Sequence, residues 1–289
     1  MIQCEKLEKR YGKKQVLKSV SFQINETKII GLIGRNGVGK STLLKILAGH
    51  FKETGGHVQV LGKRPFNALH VAANVILIED SMSFPSIFTL KEILLHAKRF
   101  YPNFATELAF DLLRYVGISE KNEHMQLSKG QTAVFNLIYG LATRCAVTLL
   151  DEPMNGMDEA VRADMYRAIL KDFIAYPRLI IMSSHYLQEM EHLIEDILLL
   201  HEGKVELYAP LEEVQQMALR IVGQKEEIEP LLEKVHVFYK REQTPLFEAI
   251  IENNGLEIPA SVKSQSLSAS EVCKYLTSSK EGTIDDIFK

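Results

Sequence analysis

Three short apolar runs organise the first 210 residues: Ile29-Ile30-Gly31-Leu32-Ile33, Ala146-Val147-Thr148-Leu149-Leu150 and Leu179-Ile180-Ile181-Met182. Each has strand length and none alternates apolar with polar positions. That is the pattern of strands buried on both faces of a mostly parallel sheet. Each runs directly into polar residues: GRNGVGKST, Asp151-Glu152 and Ser183-Ser184-His185. Open α/β sheets bind ligands beyond the carboxyl ends of their strands, so these three polar groups are predicted to converge.

Helical spacing fills the intervals. Ser41 to Ala48 puts Leu43, Leu44 and Leu47 on one face and stops at Gly49. Val161, Met165, Ile169 and Phe173 recur every fourth residue until Pro177. Leu187, Met190 and Ile194 trace a further short apolar face, while KSVSFQIN and HVQVLGKR alternate as half-exposed strands of a small antiparallel sheet. Residues 84–142 read as a mainly helical insertion, with Ile93, Leu94, Leu112, Leu113 and Val116 among its core positions. The pattern changes again near residue 210. There LRIVGQ, VHVFYKR and FEAIIEN read as strands of a small α+β extension, followed by a Ser-rich loop around Ser264 to Ser270. The expected division is 1–210 and 211–289, without internal repeats.

Composition narrows the function. Among 289 residues, 34 Lys and Arg against 37 Asp and Glu leave a formal charge of −3, so no excess of positive charge is available for a polyanion. Cys4, Cys145 and Cys273 are too few and too scattered for a disulfide framework or a zinc site, which fits a reducing compartment. No apolar run reaches bilayer-spanning length, and the N-terminal MIQCEKLEKRYGKK has no apolar signal core. A cytoplasmic chain is expected.

Gly34-Arg35-Asn36-Gly37-Val38-Gly39-Lys40-Ser41 fits G-x-x-x-x-G-K-[ST], with a buried strand before it and a helix after it. Its glycines (Gly34, Gly37, Gly39) let the backbone curl around Asn36 so that N–H groups face phosphate oxygens, helped by the helix N-terminus. Lys40 would reach the β- and γ-phosphates, Ser41 would ligate Mg²⁺, and Thr42 would face the α-phosphate. The run ending in Asp151-Glu152 supplies two carboxylates that, on a strand, point to opposite sides. Asp151 is thus expected to hold Mg²⁺ through water, and Glu152 to face a water attacking the γ-phosphate. Leu127-Ser128-Lys129-Gly130-Gln131 precedes an apolar-periodic helix, and its Ser128 reads both as a cap and as part of an anion site.

In this order, GRNGVGKS, LSKGQ, the strand closing in Asp151-Glu152, Asn155-Gly156-Met157-Asp158 and His185 resemble the ATP-binding cassette ATPases over residues 1–210. The resemblance implies a P-loop ATPase core with a mainly parallel sheet and a head-to-tail dimer enclosing two ATP molecules. Ser128 and Gly130 of one cassette would contact the γ-phosphate held by the other. Asp158 would lie at the dimer seam, and His185 would meet the γ-phosphate and the attacking water. Tyr11 matches the aromatic that stacks on adenine.

Two departures from the family pattern stand out. Asp80, beside Glu79, occupies the place where the family usually carries Gln, and a carboxylate cannot donate as an amide does; it can still approach Mg²⁺. Lys129 replaces a common glycine, leaving Ser128 and Gly130 in place. His124, His192 and His201 have no partner at metal-ligand spacing. The apolar segment Met82 to Phe88 resembles the surface that receives a short helix of a membrane subunit.

The reading that follows is an ATP-hydrolysing subunit of a drug- or peptide-type exporter, with ATP and Mg²⁺ as cofactors. A second cassette, identical or not, and separate permease subunits would be its partners, holding it on the inner face of the membrane. Two competitors are a soluble cassette ATPase acting on nucleic acid and a non-hydrolysing nucleotide sensor. The first is disfavoured by the single cassette and the charge; the second rests only on Asp80. A guanine-nucleotide switch is disfavoured because no N-K-x-D or T-K-x-D element follows the phosphate loop.

Overall fold

The computed structural model describes residues 1–185, 187–243 and 246–277. In chain order the elements begin β1 (Ile2–Tyr11), β2 (Lys14–Ile24), β3 (Ile29–Ile33), α1 (Lys40–Leu47), β4 (Gly55–Val60), α2 (Leu69–Asn74) and β5 (Val75–Ile78). Next come α3 (Leu90–Ala97), α4 (Thr106–Tyr115), α5 (Lys129–Thr143), β6 (Val147–Asp151), α6 (Glu159–Ala175) and β7 (Leu179–Ser184). Then follow α7 (Leu187–Met190), β8 (Asp196–His201), β9 (Lys204–Pro210), α8 (Leu211–Gln216), β10 (Ala218–Gly223) and α9 (Lys225–Leu232). Last are β11 (Val237–Gln243), β12 (Leu246–Glu252), β13 (Lys263–Ser266) and α10 (Ala269–Leu276). Among the described residues one compact unit joins residues 1–185 to His192–Tyr208, and a second joins Leu187–Glu191 to the chain from Ala209 onward.

In the first unit six strands run in the order β5-β6-β7-β3-β8-β9. The β5/β6, β6/β7, β7/β3 and β3/β8 pairs are parallel. The unbroken apolar runs explain why these strands lie inside. Every residue of β3, β5 and β7 is buried, so no strand face needs polar residues. Burying a Leu or Ile side chain contributes roughly 1.5–3 kcal/mol, which makes this layer the main source of stability. Leu32, Leu149, Ile181 and Leu198 share one core with Leu43 and Leu47 of α1 and with Leu7, Leu17 and Val58 of the antiparallel sheet β2-β1-β4. The predicted α/β core with its small antiparallel sheet is therefore present. The antiparallel sheet has a strand that was not expected, β1, whose alternation is broken by register shifts after Cys4 and Leu7. Tyr11, read as lying ahead of the first long strand, ends β1.

The helical insertion holds α3, α4 and the start of α5, and its first α-helix begins at Leu90, six residues later than the segment was expected to. Thr89 caps α3 by a capping box with Glu92. Phe84 packs edge-on against His124, Phe135 and Tyr139 at centroid distances of 5.0, 5.6 and 5.0 Å. His124 also hydrogen-bonds Asn136 at 2.9 Å, giving it the structural place expected of it.

The second unit is α+β. Its antiparallel sheet runs β11-β12-β10-β13 and closes over Ile221, Ile228, Leu231, Phe247 and Ile251. The expected Ser-rich loop is a correction: Ser264 and Ser266 lie in β13, and Ser268 caps α10, accepting from the Glu271 N–H. The helical face through Leu187, Met190 and Ile194 reduces to the single turn α7, which ends before Ile194. Among the described residues no helix is long and apolar enough to cross a membrane, and Cys4, Cys145 and Cys273 are buried free thiols.

Candidate functional site

Register builds the site. Asp151 pairs with Ser183 across β6/β7, and Ile33 pairs with Ser184 across β3/β7, so the polar ends of all three strands lie side by side. The phosphate loop leaves β3 and turns into α1, with Gly39 as its N-cap. Gly37 sits at φ +80°, and open space lies where a side chain would begin; backbone N–H groups can face an anion there. Lys40 is only 6% exposed, and its Nζ donates to the Gly34 carbonyl at 2.7 Å. Ser41 is exposed and Thr42 half-buried on the first turn of α1, while Asn36 is exposed in the loop.

Glu152 lies at the middle of the site. Its Oε1 is 3.3 Å from Lys40 Nζ, and its Oε2 is 2.7 Å from His185 Nδ1. A carboxylate only accepts, so the contact makes Nδ1 the protonated ring nitrogen of His185. The two carboxylates have different partners, and strand alternation does not separate them. β6 stops at Asp151, and Glu152 takes a left-handed backbone, φ +48°. Its N–H goes to Ser183 Oγ at 2.9 Å, while that hydroxyl donates to Asp151 Oδ1 at 2.7 Å.

The helix N-termini are built from polar caps. Ser128 accepts from the Gln131 N–H at 3.3 Å, completing a capping box for α5. Gly130 has a structural reason to be glycine: a Cβ there would stand 2.6 Å from the Gly156 carbonyl oxygen. Lys129 lays its aliphatic stem over Gly156. Asp158 caps α6 through Oδ1 and the Val161 N–H at 2.9 Å, and it is exposed.

Asp80 is exposed, yet partial loss of hydration lifts its carboxyl above the ordinary carboxylate range. The Lys129 ammonium opposes that shift, while the charges of Asp151, Glu152 and Glu79 reinforce it. Asp80 thus lies in the field of the site, and Glu79 is tied to Lys45 at 2.8 Å. Tyr11, 44% exposed, meets Phe51 edge-on at 6.1 Å, with Lys9 Nζ 5.1 Å from its ring centre.

The structure thus brings together Lys40, Asp151, Glu152 and His185. The recorded contacts of Ser128, Gly130, Asp158 and Tyr11 are with other residues. Sequence reasoning missed Ser183, which it treated only as the start of a polar run. Its signal was a serine directly after an apolar run, beside a strand ending in Asp. Phe51, the ring against Tyr11, was also missed.

The donor set fits a nucleotide with a hard cation. Among the described residues no group of three His, Cys, Asp or Glu could hold a metal alone. Mg²⁺ keeps several waters and takes substrate phosphate oxygens, so one hydroxyl and one carboxylate, Ser41 and Asp151, suffice.

The family model described as ABC transporter matches residues 17–155. The chain is 28% identical over 248 residues to the ABC transporter ATP-binding protein YtrB of Bacillus subtilis (strain 168), covering 83% of this chain and 85% of that one. It is 31% identical over 207 residues to the lantibiotic transport ATP-binding protein SrtF of Streptococcus pyogenes, covering 71% and 89%. Among solved structures, the dimeric post-hydrolysis state of the ATP-binding cassette MJ0796 bound to ADP and Pi matches with a TM-score of 0.64 at 20% identity. That match covers 73% of this chain and 99% of that one.

Proposed function

This chain belongs to the ABC transporter ATP-binding proteins, and from that premise we propose that it hydrolyses ATP to drive export through separate membrane subunits. The observation that carries hydrolysis is the placement of Glu152 between Lys40 and His185, at 3.3 and 2.7 Å. Lys40 binds the β- and γ-phosphates as a point charge. Glu152 accepts a proton from the attacking water, whose oxygen bonds to the γ-phosphorus while the bond to the β–γ bridging oxygen breaks, giving ADP and inorganic phosphate. His185 orients Glu152 through its Nδ1–H. Ser41 and Asp151 would hold Mg²⁺, which when bound neutralises charge developing on the phosphate oxygens.

Two copies, or this chain and a second cassette, would close head to tail. The exposed Ser128 then contributes its hydroxyl, with Gly130, to the triphosphate held by the partner, and Asp158 lies at the seam. Tyr11 stacks on the adenine. Support for pairing comes from the dimeric neighbour, and support for transport from the lantibiotic transport relative. The permease would seat on a groove of about 670 Å³ beside α2, lined by Leu69, Ala72, Met82 and Tyr101. Leu69 is 88% exposed, and Ile87, in the apolar segment Met82 to Phe88, is 80% exposed. Such a subunit works at the cytoplasmic face of the membrane.

The test is isolation of the chain from its native membrane in a mild detergent, followed by phosphate release with Mg²⁺ and ATP. Recovery of membrane-spanning partners, with release abolished by Glu152→Gln, is the expected result. A wild-type chain that releases no phosphate, or is recovered with nucleic acid and no membrane protein, would overturn the reading.

A further inference from the structure

We propose that Ser183 is the positioning residue of the site, acting on the metal-holding and water-facing carboxylates together; this rests on the hydrolytic reading above. Ser183 is fully buried at the carboxyl end of β7. It is the ladder partner of Asp151, the last residue of β6. Its single hydroxyl does two jobs in opposite senses: it donates to Asp151 Oδ1 at 2.7 Å and accepts from the Glu152 N–H at 2.9 Å.

The two bonds sit at the point where the chain leaves the strand, and they hold the two adjacent residues in different settings. Had β6 continued, Glu152 would have remained extended beside Asp151. The side-chain hydroxyl instead captures the Glu152 N–H, and the backbone turns to φ +48°, a conformation unfavourable for any residue with a Cβ. That turn carries the Glu152 carboxylate to Lys40 and His185. The same hydroxyl satisfies one oxygen of Asp151 and so fixes the plane in which its other lone pairs are offered to a cation. Alanine at 183 leaves a half-buried N–H without its acceptor and a carboxylate without its donor. Threonine keeps the hydroxyl, and Ser183 belongs to the wall of a cavity of about 140 Å³ that also includes Glu152 and Tyr166.

The experiment compares the wild-type full chain with Ser183→Ala and Ser183→Thr by three measurements. These are binding of a fluorescent ATP analogue in EDTA, the Mg²⁺ concentration that half-restores metal-dependent binding, and kcat against KM for phosphate release. For Ser183→Ala we expect unchanged metal-free binding, a raised Mg²⁺ midpoint, and kcat reduced roughly ten- to hundredfold at similar KM, the size of one lost charge-assisted hydrogen bond. Ser183→Thr should restore both the Mg²⁺ midpoint and kcat. If Ser183→Ala does not fold, Ser183→Cys, which keeps the volume with a weak S–H donor, replaces it. The proposal is overturned if the oxygen-lacking variant keeps the wild-type Mg²⁺ midpoint and kcat. It is equally overturned if metal-free binding falls in parallel, or if a folded Ser183→Thr is as impaired as Ser183→Ala. A wild-type chain that binds nucleotide but releases no phosphate defeats the hydrolytic reading instead, and the Mg²⁺ midpoint then decides on Ser183.

Discussion

Lys40 Nζ stands 3.3 Å from Glu152 Oε1, with the two side chains only 6% and 18% exposed. Shielded from water, such a pair attracts more strongly than an exposed one. The residue proposed to grip phosphate and the residue proposed to activate water therefore already neutralise each other across the site. Gly34 O accepts from the same ammonium at 2.7 Å. Any phosphate reaching Lys40 competes with these two oxygens.

Glu152→Gln separates the two roles of the carboxylate. The amide keeps the shape, takes no proton, and no longer ion-pairs with Lys40. Phosphate release should fall by about 10²–10⁴-fold, the usual size of a lost general base. ATP affinity should be retained or increased, because Lys40 has lost a competitor. Steady-state phosphate release and equilibrium titration with ATP check both halves. Unchanged release, or lost binding, would remove Glu152 from the proposed role.

Gly130→Ala should destabilise the chain even before nucleotide is added. The new Cβ would lie 2.6 Å from a backbone oxygen, that of Gly156, which cannot rotate away as a side chain can. Overpacking of this kind costs about 1–3 kcal/mol, or several degrees in Tm for a chain of this size. Lys129→Ala removes the stem over Gly156 and an exposed ammonium but introduces no clash, and should melt close to the wild type. Thermal unfolding of the three proteins without ligand tests the contact; equal melting temperatures for Gly130→Ala and the wild type would refute it.

Asp80 gives a pH dependence with a defined sign. Its carboxyl is raised in the folded chain, first by desolvation and then by Asp151, Glu152 and Glu79, with Lys129 opposing. The folded chain therefore binds that proton more tightly than the unfolded one. Stability present below the unfolded value is lost as pH rises through the raised folded value. Asp80→Asn should accordingly melt higher than the wild type at pH 7, by less than about 1 kcal/mol because the group is exposed. The difference should shrink as the pH falls into the acidic range. Paired melting curves across pH measure it, and an Asn variant that is less stable at pH 7 would reverse the assigned field.

What the sequence exposes and what it hides follow from the range of each interaction. The phosphate loop and the strands β3, β6 and β7 are readable because each is a continuous local pattern: apolar residues, then polar ones. Ser128 caps the helix that begins right beside it, again a local rule, whereas the cap made by Asp158 was not read from the sequence. Ser183 was expected near the site, but its two bonds were not readable because the partners lie 31 and 32 residues away, and only the β6/β7 register joins them. β1 escaped notice because Lys6, at φ +48°, breaks its alternation. β13 is Lys-Ser-Gln-Ser, all four exposed, and carries no apolar face to read. The approach of Gly130, in the first turn of α5, to Gly156 is one that no periodicity announces.

The base of the same strands supplies the last prediction. Arg178 immediately precedes β7 and is 4% exposed; its guanidinium donates to Asp172 Oδ2 at 2.7 Å, to Thr148 Oγ1 of β6 at 3.3 Å and to the Tyr176 carbonyl at 3.0 Å. Asp172 Oδ1 accepts from Arg144 at 3.3 Å, so one buried carboxylate serves two guanidinium groups. Asp172→Ala leaves both without their counter-charge and should cost about 3–5 kcal/mol. The urea midpoint should fall with little change in m, since the same surface is exposed on unfolding. Replacing Arg178, Asp172 and Arg144 together by Met, Leu and Met removes the desolvation cost along with the attraction, and should recover much of the loss. If the triple variant is as unstable as Asp172→Ala, the penalty lies in packing rather than in charge. Because β7 ends at Ser183 and Ser184, nucleotide binding by a still-folded Asp172→Ala then tells whether disturbance at the strand's start reaches the site at its end.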